Sequence, residues 1–351
     1  MSVCITREGW MHQEEGFPVR HGAGNRVKES GFATKIRTMF DRIETDSASP
    51  APVLVVGSVA FDNVITPYGE QERILGGAAS YCSFAASYFA EVKMVGVIGN
   101  DFGEEHLNRL RSRGIDLEGV KRDESGPTFF WKGKYHENFN RRDTLEIQLN
   151  VFENFRPDLP ESYRNSPYIL LGNIHPGLQA HVLDQLSGDS YVLADTIDLW
   201  IHTEKAALLD LIKRVNLFVI NDSEAEEVTG EKNVITAGRK LREMGPETVI
   251  VKKGEHGAIL FHEDGLFALP AYPVTELRDP TGAGDSFAGA LLGRLASRNR
   301  KDFSALKEAM LHATATASLT VEAFGCDRLE SAGAQVIEER VAELKAYTDA
   351  G

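Results

Sequence analysis

Asp279-Pro-Thr-Gly-Ala-Gly-Asp-Ser-Phe-Ala-Gly-Ala-Leu-Leu292 decides how this chain reads, because a turn holding Pro280 and two glycines runs straight into an apolar helix. Gly282 and Gly284 let the backbone bend so that successive N–H groups converge on one spot, and the helix N-terminus adds about half a positive charge there. Such a corner suits an anion. Asp285 falls in the first turn of the helix, so a hydroxyl touching its carboxylate would also face that anion. The arrangement fits removal of the hydroxyl proton during phosphoryl transfer. An Asp at a helix start also serves as a plain cap, and the rest of the sequence has to decide between the two.

Working outward, short β-branched runs alternate with helical patterns from residue 52 onward. Strands are predicted at Val53 to Gly57, Val92 to Ile98, Tyr168 to Leu171, Tyr191 to Asp195, Leu217 to Ile220 and Val249 to Val251. Helical stretches fall between most of them: Gly77 to Phe89, Glu104 to Arg113, Thr203 to Val215 and Ala237 to Met244, with Asp285 to Ser297, Ser304 to Glu322 and Gln335 to Tyr347 closing the chain. This alternation predicts an α/β fold with a mainly parallel sheet and helices on both faces. Two segments near 62–75 and 125–150 are aromatic and charged without a helical period, and they read as a small β lid outside the main sheet. Asp46-Ser-Ala-Ser-Pro-Ala-Pro52 is a linker of small residues and prolines. It separates an N-terminal extension, 1–51, expected to be mobile, from a domain over 52–349. Within the extension Ile36, Met39, Phe40 and Ile43 have the spacing of one short amphipathic helix.

Composition narrows the function classes. With Asp+Glu 52 against Lys+Arg 38 and a formal charge of -14, the chain lacks the concentrated basic charge that captures nucleic acid. Cys4, Cys82 and Cys326 form no Cys-x-x-Cys pair, so neither a thiolate metal clamp nor a redox couple is expected and a reducing, cytoplasmic setting is the simple reading. No apolar run approaches the roughly 20 residues that span a bilayer, and the N-terminus lacks the features of a signal peptide. There is no Gly-x-x-x-x-Gly-Lys-[Ser/Thr], no His-Glu-x-x-His, and no ribose-binding acid after the Gly-rich turn, which sets aside P-loop kinases, zinc peptidases and dinucleotide oxidoreductases.

From about Val53 to the C-terminal helices the chain resembles the ribokinase-like (PfkB) carbohydrate kinases, with Asp279 to Gly289 similar to the family's C-terminal signature. The resemblance implies that Gly282, Ala283 and Gly284 form the anion hole for the transferred phosphoryl and that Asp285 is the general base. Gly57-Ser-Val-Ala-Phe-Asp62 resembles the family's first strand and turn, which points to Asp62 as a ligand of sugar hydroxyls. Leu75-Gly-Gly-Ala-Ala-Ser-Tyr81 resembles its di-glycine, and so implies that Gly76 and Gly77 let the backbone approach the substrate. Asn221-Asp-Ser-Glu224 resembles an Asn-x-x-Glu motif that organises magnesium and its waters; a helix cap is the other reading of Asn221 and Glu224. Val251-Lys-Lys-Gly-Glu-His-Gly257 resembles a strand and turn contacting ATP, with Gly254 and Gly257 at the family's glycines. Lys252 stands where a side chain reaches the phosphates, although strand alternation leaves Lys253 open as well. Asp279 matches an acid that helps ligate K+ in cation-dependent relatives, or else is a turn carboxylate before Pro280.

The resemblance implies an ATP- and Mg2+-dependent kinase with a monosaccharide or sugar derivative as acceptor. A nucleoside kinase of the same fold is the alternative, and a non-catalytic ligand binder comes last. Phe129, Phe130, Trp131 and Tyr135 are read first as subunit-interface residues, and second as cover for a ligand. Exposed lid edges lead to the expectation of a homodimer.

Overall fold

The computed structural model describes residues 49–349 except 138 and 140; the short helix expected at Ile36 to Ile43 lies outside the described residues. Val53-Leu-Val-Val56 forms β1, and all four side chains are buried. Val53 and Val55 join one core cluster while Leu54 and Val56 join another. Side chains alternate across a strand, so the sheet must be covered on both faces. Its other members are β4 (Val92–Ile98), β5 (Ile115–Arg122), β8 (Tyr168–Leu171), β9 (Tyr191–Asp195), β10 (Leu217–Asn221), β11 (Thr248–Lys252), β12 (Ala258–His262) and β13 (Gly265–Leu269). They lie in the order β13-β12-β11-β10-β9-β8-β1-β4-β5.

Every pairing from β11 to β5 is parallel, and β11-β12 and β12-β13 are antiparallel. The chain leaves β1 toward β4 and β5, then returns on the other side through β8 to β11. A crevice opens at such a reversal, outside the carboxyl ends of the strands. One face is covered by α1 (Ala78–Ala86), α8 (Ala283–Arg298), α9 (Phe303–Thr320) and α11 (Ala334–Thr348), with α2 (Glu104–Ser112) and α10 (Asp327–Ser331) at its margin. The other is covered by α3 (Pro176–Leu183), α4 (Asp198–Thr203), α5 (Lys205–Ile212), α6 (Asp222–Thr229) and α7 (Val234–Glu243).

A second sheet of four strands, β3-β2-β6-β7, is built from β2 (Ala60–Thr66), β3 (Gly69–Gly76), β6 (Phe129–Tyr135) and β7 (Arg142–Gln148). It has the strand character read in the lid segments. β7 is exposed along its whole length. Some elements differ from the sequence reading. The helix read from Thr203 to Val215 is α5, Lys205–Ile212, while α4, Asp198–Thr203, precedes it across Glu204 and was not read, nor was α3. The β12-β13 hairpin was missed because a Gly-containing turn between two short amphipathic runs reads as a loop. β5 was missed because it is half-exposed at the sheet edge.

Candidate active site

The decisive turn does what its glycines require. Gly282 caps α8 with φ 76°, and a Cβ there would come within 2.4 Å of the Tyr81 ring. Both the left-handed backbone and the room for Tyr81 demand glycine. Further along α8, a Cβ at Gly289 would meet the Cys82 carbonyl oxygen at 2.2 Å, so glycine lets α8 lie close on α1. Cys82 Sγ donates to the Asp285 carbonyl at 3.2 Å, which fixes the first turn of α8 against α1. The helix starts two residues earlier than expected. The Ala283 N–H is turned back to the Pro280 carbonyl at 3.2 Å, so of the three residues read as an anion hole this one already has a partner.

Asp285 is part-buried at the floor of the crevice. Loss of hydration first, and the nearby Asp195 carboxylate second, push its pKa up to about 7, against the opposing pull of Lys252 and Arg142. Lys252, at the carboxyl end of β11, points into the same space: Nζ sits 2.9 Å from Asp195 Oδ2 and would be 2.9 Å from a Cβ at Gly284. That settles the alternation in favour of Lys252 over Lys253. Burial works against the ammonium, but Asp195, Glu224 and Asp285 outweigh it and hold Lys252 protonated, above its ordinary range.

Asp195 ends β9, is 5 % exposed, and also accepts the Thr196 N–H at 2.9 Å. It was missed in the sequence, although an acid at the end of a buried strand, two strands from a lysine at an equivalent end, is a readable signal. Asn221 and Glu224 form a reciprocal capping box at the start of α6: Asn221 Oδ1 accepts the Glu224 N–H at 2.8 Å and Glu224 Oε2 accepts the Asn221 N–H at 3.0 Å. The cap reading is therefore realised. It leaves Glu224 beside the crevice, where burial, then Asp195, push it up to about 7.

Gly254 and Gly257 bound a 3₁₀ turn that leads from Lys252 into β12. Gly257 has φ 87°, and a Cβ there would strike the Leu269 carbonyl oxygen at 2.0 Å. Their first role is to close the hairpin against β13.

The lid supplies the opposite wall. Asp62 on β2 is 4 % exposed and accepts the Gly77 N–H; burial, then Asp279 and Asp285, raise it to about 8. A Cβ at Gly76 would lie 2.0 Å from Asp62 Oδ2, and Gly77 has φ 87° with the Ser58 carbonyl 2.5 Å from its missing Cβ. The di-glycine thus makes room for the Asp62 carboxylate and for the backbone after β1. Register places Asp62 opposite Trp131, and Trp131 opposite Ile147, on one face of the lid sheet. Tyr135 shares that face with Trp131 by alternation, and its hydroxyl accepts from Thr281 Oγ1 at 3.2 Å, so this is the face turned toward the Gly-rich turn.

Trp131 lies flat along the lid. A Cβ at Gly133 would fall 2.0 Å from its ring, and its Nε1 donates to Thr144 Oγ1 at 3.2 Å. Within the described chain the four aromatics already have neighbours of their own. Phe129 stacks on Phe152 at 5.1 Å, Phe130 packs on the core, Tyr135 is buried, and Trp131 faces the crevice. Asp279 is fully buried, its two oxygens accepting the Thr281 and Gly325 N–H groups at 2.9 and 3.3 Å. It staples the turn to the segment after α9.

Among the described residues no three His, Cys, Asp or Glu side chains gather to hold a metal by themselves, and no helix is long and apolar enough to cross a membrane.

The profile of the pfkB family carbohydrate kinases matches residues 51–132 and 182–332. The cytidine kinase of Thermococcus kodakarensis is 32% identical over 68% of this chain and 87% of its own length. The aminoimidazole riboside kinase of Salmonella typhimurium is 33% identical over 78% of this chain and 90% of its own. Among solved structures, the Burkholderia thailandensis nucleoside kinase in complex with ADP-inosine superposes with a TM-score of 0.69 at 19% identity, covering 84% of this chain and 96% of that one. By the extent of the profile match and of these identities, the chain belongs to the pfkB family of carbohydrate kinases and is an ATP-dependent phosphotransferase.

Proposed function

We propose that the enzyme transfers the γ-phosphoryl of ATP to a ribose hydroxyl of a nucleoside. This reverses the order favoured by the sequence, in which a simple sugar came first. The observation that carries it is Trp131, laid over Gly133 on the crevice face of the lid and in register beside Asp62. A carboxylate that accepts ribose hydroxyls, with an indole face one strand away, suits a sugar carrying a flat base. Stacking on an indole is sequence-tolerant and contributes roughly 1–3 kcal/mol per base. The cytidine and aminoimidazole riboside kinases among the relatives support the same reading.

In this account Asp62 holds the ribose and turns its primary hydroxyl toward Asp285, which takes the proton. With a pKa of about 7, Asp285 is strong enough a base and still largely ionised at slightly alkaline pH. The amides of Gly282 and Gly284, with the α8 N-terminus, receive the phosphoryl oxygens. Lys252, held by Asp195 over Gly284, adds the fixed cation there. Asp195 lies close enough to Glu224 and Asp285 to raise both, and their carboxyl oxygens are the hard donors that suit magnesium held through its own water shell rather than by a full protein cage. Magnesium would neutralise charge on the triphosphate, and Glu224, with Asn221 behind it, would order its water shell.

The assembly we propose is a homodimer through the lid, because β7 is an unpaired edge strand bearing Leu145 and Ile147, 52% and 50% exposed. Light scattering that gives a monomer with full activity would remove this clasp.

An ATP-consumption screen over nucleosides, pentoses, hexoses and sugar acids tests the acceptor. Cytidine-, adenosine- or inosine-type acceptors should be used well above ribose, and Trp131→Ala should raise nucleoside KM about 5- to 150-fold, the equivalent of the stacking energy above. Turnover of free sugars alone, or an unchanged KM in Trp131→Ala, contradicts the reading.

A further inference from the structure

β2, which carries Asp62, is flanked by β3 on one side and β6 on the other. Asp62 pairs with Ile74 and Val64 with Gln71, so Glu72 and Arg73 together oppose Asn63 and the ladder bulges beside the carboxylate. Arg73 sits in this bulge at φ 51°, a left-handed backbone that glycine adopts freely and a residue with a side chain adopts at a cost. Three contacts hold it there. Its N–H donates to Asn63 Oδ1 at 2.7 Å, its Nη2 donates to Asp101 Oδ2 at 3.2 Å, and its guanidinium covers the Phe61 ring at 4.3 Å. Phe61 is 2% exposed and also stacks on Phe102 at 5.3 Å. Asp101 follows β4 of the main sheet, and its other oxygen accepts both the N–H and the hydroxyl of Thr128 at 2.7 Å, where the chain enters β6. One carboxylate beside the main sheet thus ties down both neighbours of β2. The Arg73–Asp101 side chains are 55% and 25% exposed, and an ion pair so open adds little stability. Glycine would fill the bulge with less strain, so stability alone does not account for the arginine.

We propose that Arg73 is a positioning residue for the acceptor: it locks the β2-β3 bulge to Asp101 and so holds Asp62 where the acceptor hydroxyls are received. The proposal rests on Asp62 being the acceptor ligand, as in the function proposed above. Arg73 touches the residue on each side of that carboxylate, the ring of Phe61 and the side-chain oxygen of Asn63. With both neighbours fixed, the direction in which Asp62 leaves β2 is fixed as well. Bulges beside active sites re-aim a side chain in this way. A carboxylate that receives two hydroxyls tolerates little displacement, since misplacement near 1 Å costs up to about 10²-fold. The contacts of Arg73 lie at the root of the lid, so the effect should fall on the acceptor and leave the nucleotide alone. Glycine at this position separates the two roles a residue here could have, because it relaxes the backbone and removes both side-chain contacts at once.

The test uses the full chain, and the varied substrate is the acceptor that the screen above returns as best, nucleoside or sugar. Arg73→Ala should raise acceptor KM about 10- to 100-fold, with kcat and the ATP KM within about threefold of the parent. Arg73→Gly should melt higher than Arg73→Ala, because the left-handed strain is gone, and should still show the raised acceptor KM. A residue that only supported the fold would recover both. Arg73→Lys keeps a cation within reach of Asp101 and should regain most of the lost affinity. Asp62→Asn should raise acceptor KM by itself, and adding Arg73→Ala to it should change that KM less than about threefold, since the arginine acts through Asp62. An acceptor KM within about threefold of the parent in Arg73→Ala or Arg73→Gly overturns the proposal. So does an equal rise in the ATP KM, a lysine no better than alanine, or full additivity with Asp62→Asn. An unchanged acceptor KM in Asp62→Asn sinks the acceptor role of Asp62 and the proposal with it. A raised KM there beside a normal Arg73→Ala sinks Arg73 alone.

Discussion

Removing the Lys252 ammonium, by Lys252→Met, tests the electrostatics of the crevice floor. Nζ is 2.9 Å from Asp195 Oδ2, and the side chains are 18% and 8% exposed. At an effective dielectric of about 20, two charges at that separation attract by roughly 6 kcal/mol, most of which is offset by the cost of drying both. Breaking such a pair from one side strands the other charge, and about 3–5 kcal/mol is typical for buried pairs. Partial exposure brings the expectation here to roughly 2–4 kcal/mol, readable by urea unfolding at pH 7. Asp195→Asn removes the stranded charge, so the double variant should recover at least about 1 kcal/mol of that loss. It should not recover turnover, because the cation over Gly284 is gone in both. A Lys252→Met destabilisation below about 0.5 kcal/mol, or strict additivity in the double variant, would refute the buried pair and with it the positioning of Lys252.

The rate should rise with pH through an apparent value near 7 as Asp285 loses its proton; since Asp195 raises Asp285 and Lys252 lowers it, the acid limb should move down in Asp195→Asn and up in Lys252→Met. The folded values of Asp62, Glu224 and Asp285 all lie above ordinary carboxyl values. Their contribution to stability is thus complete below the ordinary range and is lost as pH climbs through about 7 to 8. The free enzyme should become easier to unfold over that span, and Asp285→Asn should flatten the decline. Glu224→Gln keeps the capping geometry but loses the charge that orders metal-bound water, so it should raise the magnesium requirement or lower turnover; superimposable magnesium titrations would make Glu224 a cap alone. Asp279 is buried with its charge met by only two N–H groups, so turnover should be faster in potassium than in choline salts, and equal rates would leave Asp279 as a turn residue.

The main sheet was legible because its strands are short, β-branched and buried on both faces, leaving a run such as Val53 to Val56 no plausible alternative. Asp285, Gly282 and Gly77 were legible for a related reason: each sits where local backbone chemistry, a positive φ or a helix start, constrains the residue. Asp195 and Arg142 were not, and Trp131 as cover for a ligand came only second. Their meaning depends on which strand ends are neighbours and which lid face looks inward, and register across β2, β6 and β7 supplies that. A bulge between Lys132 and Gly133 makes it harder still, since it shifts the alternation of β7 by one residue and no local signal announces it.

The central claim is that Asp285 removes the acceptor proton while the Gly-rich turn holds the phosphoryl, and turnover of Asp285→Asn measures it most directly. Asparagine preserves size and is itself a good residue for a helix start, so the crevice should keep its shape and its ligands. Loss of the base should lower kcat about 10²- to 10⁴-fold, equivalent to roughly 3–5 kcal/mol of transition-state stabilisation, with acceptor and nucleotide affinities little changed. A kcat within about threefold of the parent, a barrier change under roughly 1 kcal/mol, would contradict the account and return Asp285 to the role of a part-buried helix-start carboxyl.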